Sequence, residues 1–352
     1  MLEFDMLIFD IDGVLIDVSE SYRDVIRQTT QLYLEAAMGL SPFAGELVSR
    51  EDVAAFKLAG GFNNDWDLTT GILKHFIANL EGGIPAPAAN SQLPKTPAEI
   101  LAYLRQAAAG VSTTVEQLAR RKDIAAFARA VGQAGGGLAA VWTILGERGD
   151  HLLFAKGELR GPNLVKRIFE EVYLGEALFA KEYGEPPLVY HGAGLIRRER
   201  LIASPAALES LSKRVGLGIA TGRPRSQAVY ALETAGILGY FRSLVTHEDM
   251  VAEEGRTGQS AGKPHPFTLC EAVRRIAAER VRAAYVGDTL DDVRAANAAK
   301  AEMNFVSIGC LAPASDKDAM RREFERVGAD VIVNHPDELL DLTGFLGSDG
   351  AA

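Results

Sequence analysis

Near its N-terminus the sequence reads Leu7-Ile8-Phe9-Asp10-Ile11-Asp12-Gly13, an apolar run that ends in two acids and a glycine. The apolar run predicts a buried strand that stops where the polar residues begin. Side chains two apart on an extended chain project to the same side, so both carboxylates can face one ligand. Gly13 lets the chain leave the strand sharply, which predicts that the acids lie at the carboxyl edge of a sheet. A polar turn after a buried strand explains this pattern equally well when it is taken alone.

Similar apolar runs recur late in the chain, mostly separated by segments with helical spacing. They lie at residues 216–220, 243–246, 283–286, 305–308 and 331–333. One of the intervening helices is expected to begin after Pro224 and to end at Gly236, and another to begin near Pro264. Strands that alternate with helices predict an α/β fold, a doubly wound parallel sheet covered on both faces.

The stretch from residue 17 to residue 202 shows helical periodicity with almost no strand signal. We therefore expect a large all-helical domain, 17–202, inserted into a core made of residues 1–16 and 203–352. The proline-rich segment of about 84–98 is expected to be an extended linker, and the glycines at 135–137 mark a second break in the helical pattern.

Composition excludes several classes of protein. The chain has 352 residues, of which 47% are hydrophobic, enough for one large domain or two smaller ones. Its 37 Lys and Arg against 47 Asp and Glu give a net charge of −10, and the absence of a basic tract argues against nucleic acid as a partner. Two cysteines in apolar surroundings, Cys270 and Cys310, are typical of core residues in a reducing compartment. No signal-peptide pattern or apolar run of about 18 residues occurs, so we expect a cytoplasmic protein with no membrane partner.

Two further polar residues follow predicted strands or precede helices. Thr221, in Ala220-Thr221-Gly222-Arg223, offers a hydroxyl and neighbouring backbone N–H groups to an anionic oxygen. Lys263 stands just before a helix, where helix electrostatics favour a negative charge rather than a positive one. An ordinary turn and an exposed lysine are the alternative interpretations of these two residues.

A third cluster, Gly287-Asp288-Thr289-Leu290-Asp291-Asp292, follows the run at 283–286. Thr289 and Asp292 have the spacing of a capping box, which explains Asp292 but not Asp288. If Asp288 meets the two acids of the first motif, like charges about 4 Å apart repel by roughly 4 kcal/mol at an effective dielectric of 20. A hard cation relieves that repulsion, and oxygen ligands without a Cys or His cluster favour Mg²⁺ over zinc.

These pieces, in this order, resemble the motifs of the haloacid dehalogenase superfamily. The similarity covers residues 1–16 and about 203–335, and the helical insertion after the first motif further resembles the phosphoglycolate phosphatase and β-phosphoglucomutase branch. It implies a Rossmann-like core with a helical cap. The matching residues are Asp10-Ile11-Asp12-Gly13-Val14, Thr221, Lys263 and Gly287-Asp288 with Asp292.

The resemblance also implies a mechanism. Asp10 is expected to attack phosphorus and form an aspartyl-phosphate, and Asp12 to protonate the leaving oxygen and then deprotonate water. Mg²⁺ is expected to be held by the carboxylates of Asp10 and Asp288 and the backbone carbonyl of Asp12. Asp292 either binds a water on the metal or orients Lys263, and the adjacent Asp291 leaves open which of the two acids serves the metal.

The same resemblance places Thr221 and Lys263 on the transferring oxygens, where negative charge accumulates. Gly222 and Arg223, in the turn that begins with Thr221, are candidate substrate-binding residues. For Arg223 two interpretations remain, a clamp on a second anionic group of the substrate or a partner for a carboxylate on the surface.

Within the insertion, the stretch from Gly60 to Asp67 combines a Gly-Gly turn with amides, an acid and an indole. Asn63 and Trp66 are candidate substrate-binding residues, because a small-molecule pocket uses such polar and flat groups. Alternatively, Asn64 or Asp65 caps a helix and Trp66 packs in the core of the insertion.

We therefore expect a Mg²⁺-dependent phosphatase that hydrolyses a small phosphorylated metabolite. A phosphomutase of the β-phosphoglucomutase type is the alternative within the same chemistry. A catalytically silent binding protein on the same fold is the alternative from another class, although Asp10, Asp12, Lys263 and Asp288 are all retained.

Overall fold

The computed structural model describes residues 4–62, 64–82, 94–277 and 281–342. The chain divides into two compact units, which we call the core unit (residues 1–19 and 199–352) and the inserted unit (residues 20–198). The inserted unit therefore begins at residue 20 rather than 17 and ends at residue 198 rather than 202, so it is slightly shorter than the sequence pattern predicts. Most of the segment 84–98, expected to be a linker, lies outside the described residues.

The core unit is built on a six-stranded parallel sheet in the order β5-β4-β1-β6-β7-β8. The strands of the described residues are β1 Met6–Phe9, β2 Ile16–Asp17, β3 Arg200–Leu201, β4 Gly216–Ala220, β5 Ser243–Val245, β6 Arg282–Gly287, β7 Asn304–Cys310 and β8 Val331–Val333. From β1 the strand order proceeds through β4 to β5 on one side and through β6 and β7 to β8 on the other. Sheets of this kind bind ligands outside the carboxyl ends of the strands at this reversal, next to β1.

The apolar runs form strands because both faces of the sheet are covered. Every residue of β1 and of β4 is buried, which is why these strands appear in the sequence as continuous apolar runs rather than alternating ones. Cys270 and Cys310 are buried core residues, as expected. The predicted parallel sheet and the position of each of its strands are confirmed.

A small antiparallel pair stands where the chain leaves the core unit and returns to it. In this pair β2 lies against β3, with Ile16 opposite Leu201 and Asp17 opposite Arg200. The N–H of Ile202 donates to the carbonyl of Leu15 at 2.8 Å. These hydrogen bonds hold residues 16–17 and 200–201 in the core unit, which accounts for the difference between the expected and observed boundaries.

In the inserted unit the regular structure of the described residues is helical. The helices are α1 Tyr22–Leu32, α2 Arg50–Ala59, α3 Asp65–Ala78, α4 Pro97–Ala107, α5 Val115–Arg121, α6 Ile124–Gln133, α7 Gly137–Leu145 and α8 Leu164–Tyr183. Asn163 caps α8 by accepting from the N–H of Lys166 at 2.9 Å. The linker prediction is wrong at its end, because Thr96 forms a capping box with Glu99 and Pro97 therefore begins α4.

Two glycine turns of the inserted unit pack backbone against backbone. The N–H of Gly137 donates to the carbonyl of Gly60 at 2.9 Å, and a Cβ added at Gly61 or Gly136 would lie under 3.0 Å from the opposite main chain. Both turns therefore require glycine, and the predicted break at 135–137 is the end of α6 and the start of α7. Of the described helices, none alone is long and apolar enough to cross a membrane, and α6 with α7 meets that test only as a pair bent by 111°.

The helices of the core unit lie before, between and after the later strands of the parallel sheet. They are α9 Pro205–Ser212, α10 Arg225–Thr234, α11 His247–Thr257, α12 Phe267–Arg274, α13 Leu290–Ala299, α14 Lys317–Arg326 and α15 Leu339–Leu342. Helix α10 ends two residues before Gly236, whose φ of 70° is the left-handed conformation with which glycine commonly follows a helix. The capping box at α13 is present as predicted, with Thr289 and Asp292 each accepting from the backbone of the other.

Candidate active site

Asp10 lies at the carboxyl end of β1, the position that the reversal of strand order marks for a ligand. Its N–H donates to the carbonyl of Val286 at 2.9 Å, which ties the residue to the end of β6. One carboxylate oxygen, Oδ1, accepts from the N–H of Ile11 at 2.8 Å, and the other, Oδ2, lies 2.8 Å from Nζ of Lys263. The side chain is thus fixed at both oxygens.

Two further acids converge on Asp10. Asp288 follows β6 and Asp292 lies in the first turn of α13, and carboxylate oxygens of all three lie within 4.8 Å of one another. Burial, reinforced by the neighbouring negative charges, raises the pKa of Asp10 to about 6 against the opposing effect of Lys263. Burial and the charges of Asp292 and Asp10 also raise the pKa of Asp288 well above its usual range. The cluster is therefore short of positive charge.

Lys263 is the cation nearest to these carboxylates. Its Nζ lies 2.8 Å from Oδ2 of Asp10 and 2.8 Å from Oδ1 of Asp292, and 5.1 Å from the ring centre of Tyr285. Burial disfavours its charge, but the two carboxylates outweigh burial and raise the pKa of Lys263 well above its usual value. Burial likewise opposes ionisation of Asp292, yet Lys263 and the bonds from Thr289 lower the pKa of Asp292.

The structure distinguishes the two adjacent acids that the sequence left open. Asp292 is 1% exposed and contacts Lys263, whereas the side chain of Asp291 is 51% exposed and pairs with Arg294 at 2.8 Å. Asp292 therefore belongs to the carboxylate cluster and Asp291 belongs to the surface of α13.

Thr221 and Gly222 follow β4, next to the end of β1. Thr221 is buried, and its Oγ1 accepts from the N–H of Arg223 at 3.3 Å. A hydroxyl that accepts one bond can still donate its own proton. Gly222 is exposed, and no described atom lies within 4 Å of a Cβ built on it. The turn therefore offers space beside a row of backbone groups.

Arg223 occupies a different place from either of the two expected for it. Its side chain is 1% exposed, so it is not a surface residue, and its guanidinium bridges two carboxylates of the core unit. Nε donates to Oδ1 of Asp12 at 2.6 Å with Nη2 against the same oxygen, and Nη1 donates to Oε2 of Glu199 at 2.9 Å. The side chain of Asp12 thus faces Arg223, apart from the cluster around Asp10.

Glu199 and Tyr285 were not identified from the sequence. Glu199 lies within the charged run Arg197-Arg198-Glu199-Arg200, which carries no local sign of a buried pair. The hydroxyl of Tyr285 lies 3.1 Å from the carbonyl oxygen of Ala220 and 3.3 Å from Oδ1 of Asp292. A phenol in a fully buried strand requires a partner for its hydroxyl, and that requirement is the signal that could have identified Tyr285.

The candidate residues of the inserted unit are only partly described. Asn63 lies outside the described residues. Trp66 is half-buried in the first turn of α3, with its ring edge-on to Phe169 at 6.3 Å between centroids and with Nζ of Lys166 4.2 Å from its own centroid. Asn64 caps this helix by accepting from the N–H of Asp67 at 2.8 Å, as the alternative interpretation held.

The donor chemistry of the core site fits a hard divalent cation. The converging groups of Asp10, Asp288 and Asp292 are carboxylates, and oxygen donors of this kind suit Mg²⁺ and related ions. Proximity of three acids, two of them with raised pKa values, is the condition that a cation relieves. The site can therefore bring together a carboxylate nucleophile, a lysine and a metal.

Comparison with known families agrees with this geometry. Residues 4–300 match the model of the family described as haloacid dehalogenase-like hydrolase, which is most of the chain. The chain belongs to this family. The haloacid dehalogenase-like hydrolase described here thus carries the four predicted motifs at the ends of β1, β4 and β6 and ahead of α12.

Three individual proteins that this hydrolase resembles are distant in sequence. An imidazoleglycerol-phosphate dehydratase from Phytophthora nicotianae is 25% identical over 347 residues, which cover 96% of this chain and 52% of that protein. The chain thus spans about half the length of the curated relative that it matches. A solved structural-genomics target is 21% identical with a TM-score of 0.65, covering 96% of this chain and 98% of its own. A phosphatase from Thermococcus thioreducens is 22% identical with a TM-score of 0.49, covering 90% and 99%.

Proposed function

We propose that this hydrolase is a Mg²⁺-dependent phosphatase that acts on a small phosphorylated metabolite through an aspartyl-phosphate. The contact that carries the proposal is Lys263 between Asp10 and Asp292, at 2.8 Å from each, in a cluster of three carboxylates. A buried, oriented carboxylate next to a lysine is suited to attack an anionic phosphorus centre, since the cation offsets the repulsion between nucleophile and phosphate.

In the first step, a carboxylate oxygen of Asp10 forms a bond to phosphorus while the bond from phosphorus to the leaving oxygen breaks. Asp12 transfers its proton to that leaving oxygen, and Lys263 and Thr221 hold the transferring oxygens. In the second step, Asp12 takes a proton from the attacking water, the bond between Asp10 and phosphorus breaks, and inorganic phosphate leaves. Gly222 provides the space in which the phosphate approaches the backbone.

Asp10, Asp288 and Asp292 would hold the Mg²⁺, with the backbone carbonyl of Asp12 as an additional expected ligand. When bound, the cation supplies positive charge that offsets the repulsion among these acids and the substrate phosphate. The cytoplasmic location expected from the sequence stays a prediction.

One comparison supports an order in which to test substrates. The Phytophthora relative is named for a dehydratase of imidazoleglycerol phosphate, and this chain matches about half of that protein. Imidazole-bearing phosphate monoesters are therefore the candidates to compare first with sugar phosphates and short-chain alkyl phosphates. Net charge −10 disfavours an anionic substrate at long range, so the positive groups of the site must act locally.

The test is a screen of phosphorylated metabolites with Mg²⁺, scored by released inorganic phosphate, together with Asp10→Asn. An amide cannot form the acyl-phosphate, so this variant should fold normally and lose nearly all turnover. Asp291→Asn, which changes an exposed acid nearby, is the matched control and should retain activity. Full activity of Asp10→Asn, or of the wild-type protein in excess chelator, would contradict the proposal.

The same screen separates the two alternatives. A phosphomutase returns the phosphoryl group to a sugar phosphate, so its product is an isomeric ester rather than inorganic phosphate. A silent binding protein releases no phosphate and forms no acyl-phosphate that mass spectrometry of the acid-quenched protein can detect.

A further inference from the structure

A buried arginine joins the loop after β4 to the acid of the first motif. The main chain of Arg223 is held by its own N–H, which donates to Oγ1 of Thr221 at 3.3 Å, and by its carbonyl, which accepts from the N–H of His247 at 3.0 Å. Its side chain then reaches Asp12, whose Oδ1 accepts from Nε at 2.6 Å and forms an ion pair with Nη2. A charge-assisted hydrogen bond, reinforced by an ion-pair contact on the same oxygen, restricts rotation of the carboxylate.

Glu199 completes the arrangement from the other side. Its carboxylate, 5% exposed, accepts from Nη1 of Arg223 at 2.9 Å. The guanidinium is thus held at both ends of its fork, with a side chain only 1% exposed. Such burial leaves it no open face toward a substrate, whereas the side chain of Asp12 is 34% exposed and keeps access to one.

We infer that Arg223, anchored by Glu199, is a positioning residue that orients Asp12 for proton exchange with the leaving oxygen and with water. The inference rests on the proposed function, because it assigns to Arg223 an effect that passes entirely through Asp12. Oδ1 is occupied by the guanidinium, so the proton is exchanged at the other oxygen, Oδ2. Glu199 is the first residue of the core unit after the inserted unit, so the residue that fixes this geometry lies outside all four motifs in the sequence.

The test uses two esters that differ in their need for a proton. p-Nitrophenolate leaves without protonation, whereas an alkoxide does not, so a misplaced Asp12 slows the first step only for an alkyl phosphate. Arg223→Lys keeps the charge but loses the planar fork. With Mg²⁺ present, single-turnover formation of the aspartyl-phosphate should fall about 100-fold for an alkyl phosphate. The burst of p-nitrophenol should persist while its later steady-state rate falls, because the second step still needs Asp12.

Two further variants separate positioning from general damage. Glu199→Gln keeps an acceptor for Nη1 and leaves Arg223 in place. The rate of the first step should therefore fall less than in Arg223→Lys, and again more for the alkyl phosphate than for p-nitrophenyl phosphate. Arg225→Lys, at the first residue of α10, whose side chain is 51% exposed, is the control and should match the wild-type protein on both esters. Circular dichroism and urea unfolding establish that each variant is folded.

A double variant gives the decisive comparison. In an Asp12→Asn background, Arg223→Lys should cause no additional loss, because its effect is transmitted through the side chain already removed. An additional loss there, a rise in KM without a fall in the rate of the first step, or an equal fall of the first-step rate on both esters would overturn the inference. If Asp12→Asn itself retains full activity, or if the wild-type protein forms no aspartyl-phosphate, the proposed function fails and the inference fails with it.

Discussion

A Cβ built on Gly13 would lie under 3.0 Å from Oδ2 of Asp288. Gly13 also has a φ of 72°, which L side chains rarely adopt. Glycine is therefore required at position 13 for two reasons. The chain leaves β1 in a left-handed conformation, and Asp288 approaches too closely for a side chain to fit.

Gly13→Ala should reduce activity far more than it reduces stability. The left-handed conformation costs an alanine about 1–2 kcal/mol, while displacement of Asp288 by about 1 Å should reduce kcat/KM roughly 100-fold. Enzyme kinetics and urea unfolding measure the two effects. The control is Gly239→Ala, an exposed glycine of the core unit with no described atom within 4 Å of the added Cβ. Equal activity of the two variants would show that Asp288 accommodates the methyl group.

The two adjacent acids of α13 should respond differently to removal of their charge. Asp292→Asn should raise the Mg²⁺ concentration for half-maximal activity roughly 10- to 100-fold, because Asp292 belongs to the carboxylate cluster. Asp291→Asn should leave that concentration unchanged, since its side chain pairs only with Arg294 among the contacts described. Titration calorimetry with Mg²⁺ gives an independent measurement, and similar affinities for the two variants would contradict the assignment.

Mutations of the inserted unit and of the core site should affect two phosphate esters differently. If Trp66 contacts the part of the substrate that does not react, Trp66→Ala should lower kcat/KM for the substrate found in the screen at least about 10-fold more than for p-nitrophenyl phosphate. Lys263→Met, which removes a charge from the core site, should impair both esters alike. Equal losses for Trp66→Ala on the two esters, with folding intact by circular dichroism, would leave Trp66 with only its packing role against Phe169.

The stability of the inserted unit should depend on pH, and His75 should cause much of that dependence. Its ring stacks on Phe127 with centroids 4.6 Å apart, and Nδ1 is buried without a hydrogen-bond partner among the described residues. Burial lowers the pKa of His75 to about 4 despite the opposing effects of Asp123 and Asp52. Between pH 6.5 and 4 the unfolded chain therefore binds more protons than the folded one, so stability falls as the pH falls through this window.

The loss amounts to at most about 3.5 kcal/mol, because one pKa unit corresponds to about 1.4 kcal/mol. His75→Leu should remove most of this dependence, measured as the difference in the free energy of unfolding between pH 7.5 and pH 4.5. His191→Gln, at an exposed histidine of the same unit, should leave the difference unchanged. An unchanged difference in His75→Leu would show that His75 titrates normally in the folded protein.

The strands and the four motifs were predictable because each is marked locally. A strand buried on both faces is a continuous apolar run, and its end is visible where Asp10 or Asp288 interrupts that run. Since carboxyl ends of neighbouring parallel strands meet at one edge, the convergence of these residues followed from the order of the elements alone. The capping box of Thr289 and Asp292 was likewise predictable from spacing.

Other features depend on contacts that no local pattern records. The choice between Asp291 and Asp292 requires the rotation of α13 relative to the sheet. The packing of Gly60 and Gly61 on the glycines at 136–137 joins turns that are more than seventy residues apart in sequence. The pairing of Arg223 with Glu199 requires the chain to return through β3. From local sequence, this arginine could therefore be interpreted only as a clamp on the substrate or as a partner for a surface carboxylate.

The short ladder of β2 and β3 also bears on how such an enzyme can diversify. Because Ile16 faces Leu201, a chain that leaves and returns through these neighbouring rungs could be closed by a tight turn. Lengthening a loop costs only about 0.6 kcal/mol for each doubling of its length, so the ladder tolerates inserts of very different sizes. Inserted domains of different sizes can thus replace one another at this position while the register of the parallel sheet stays unchanged. Glu199 lies next to this junction, so an insert that lacks it would leave Asp10 in place but release the arginine that faces Asp12.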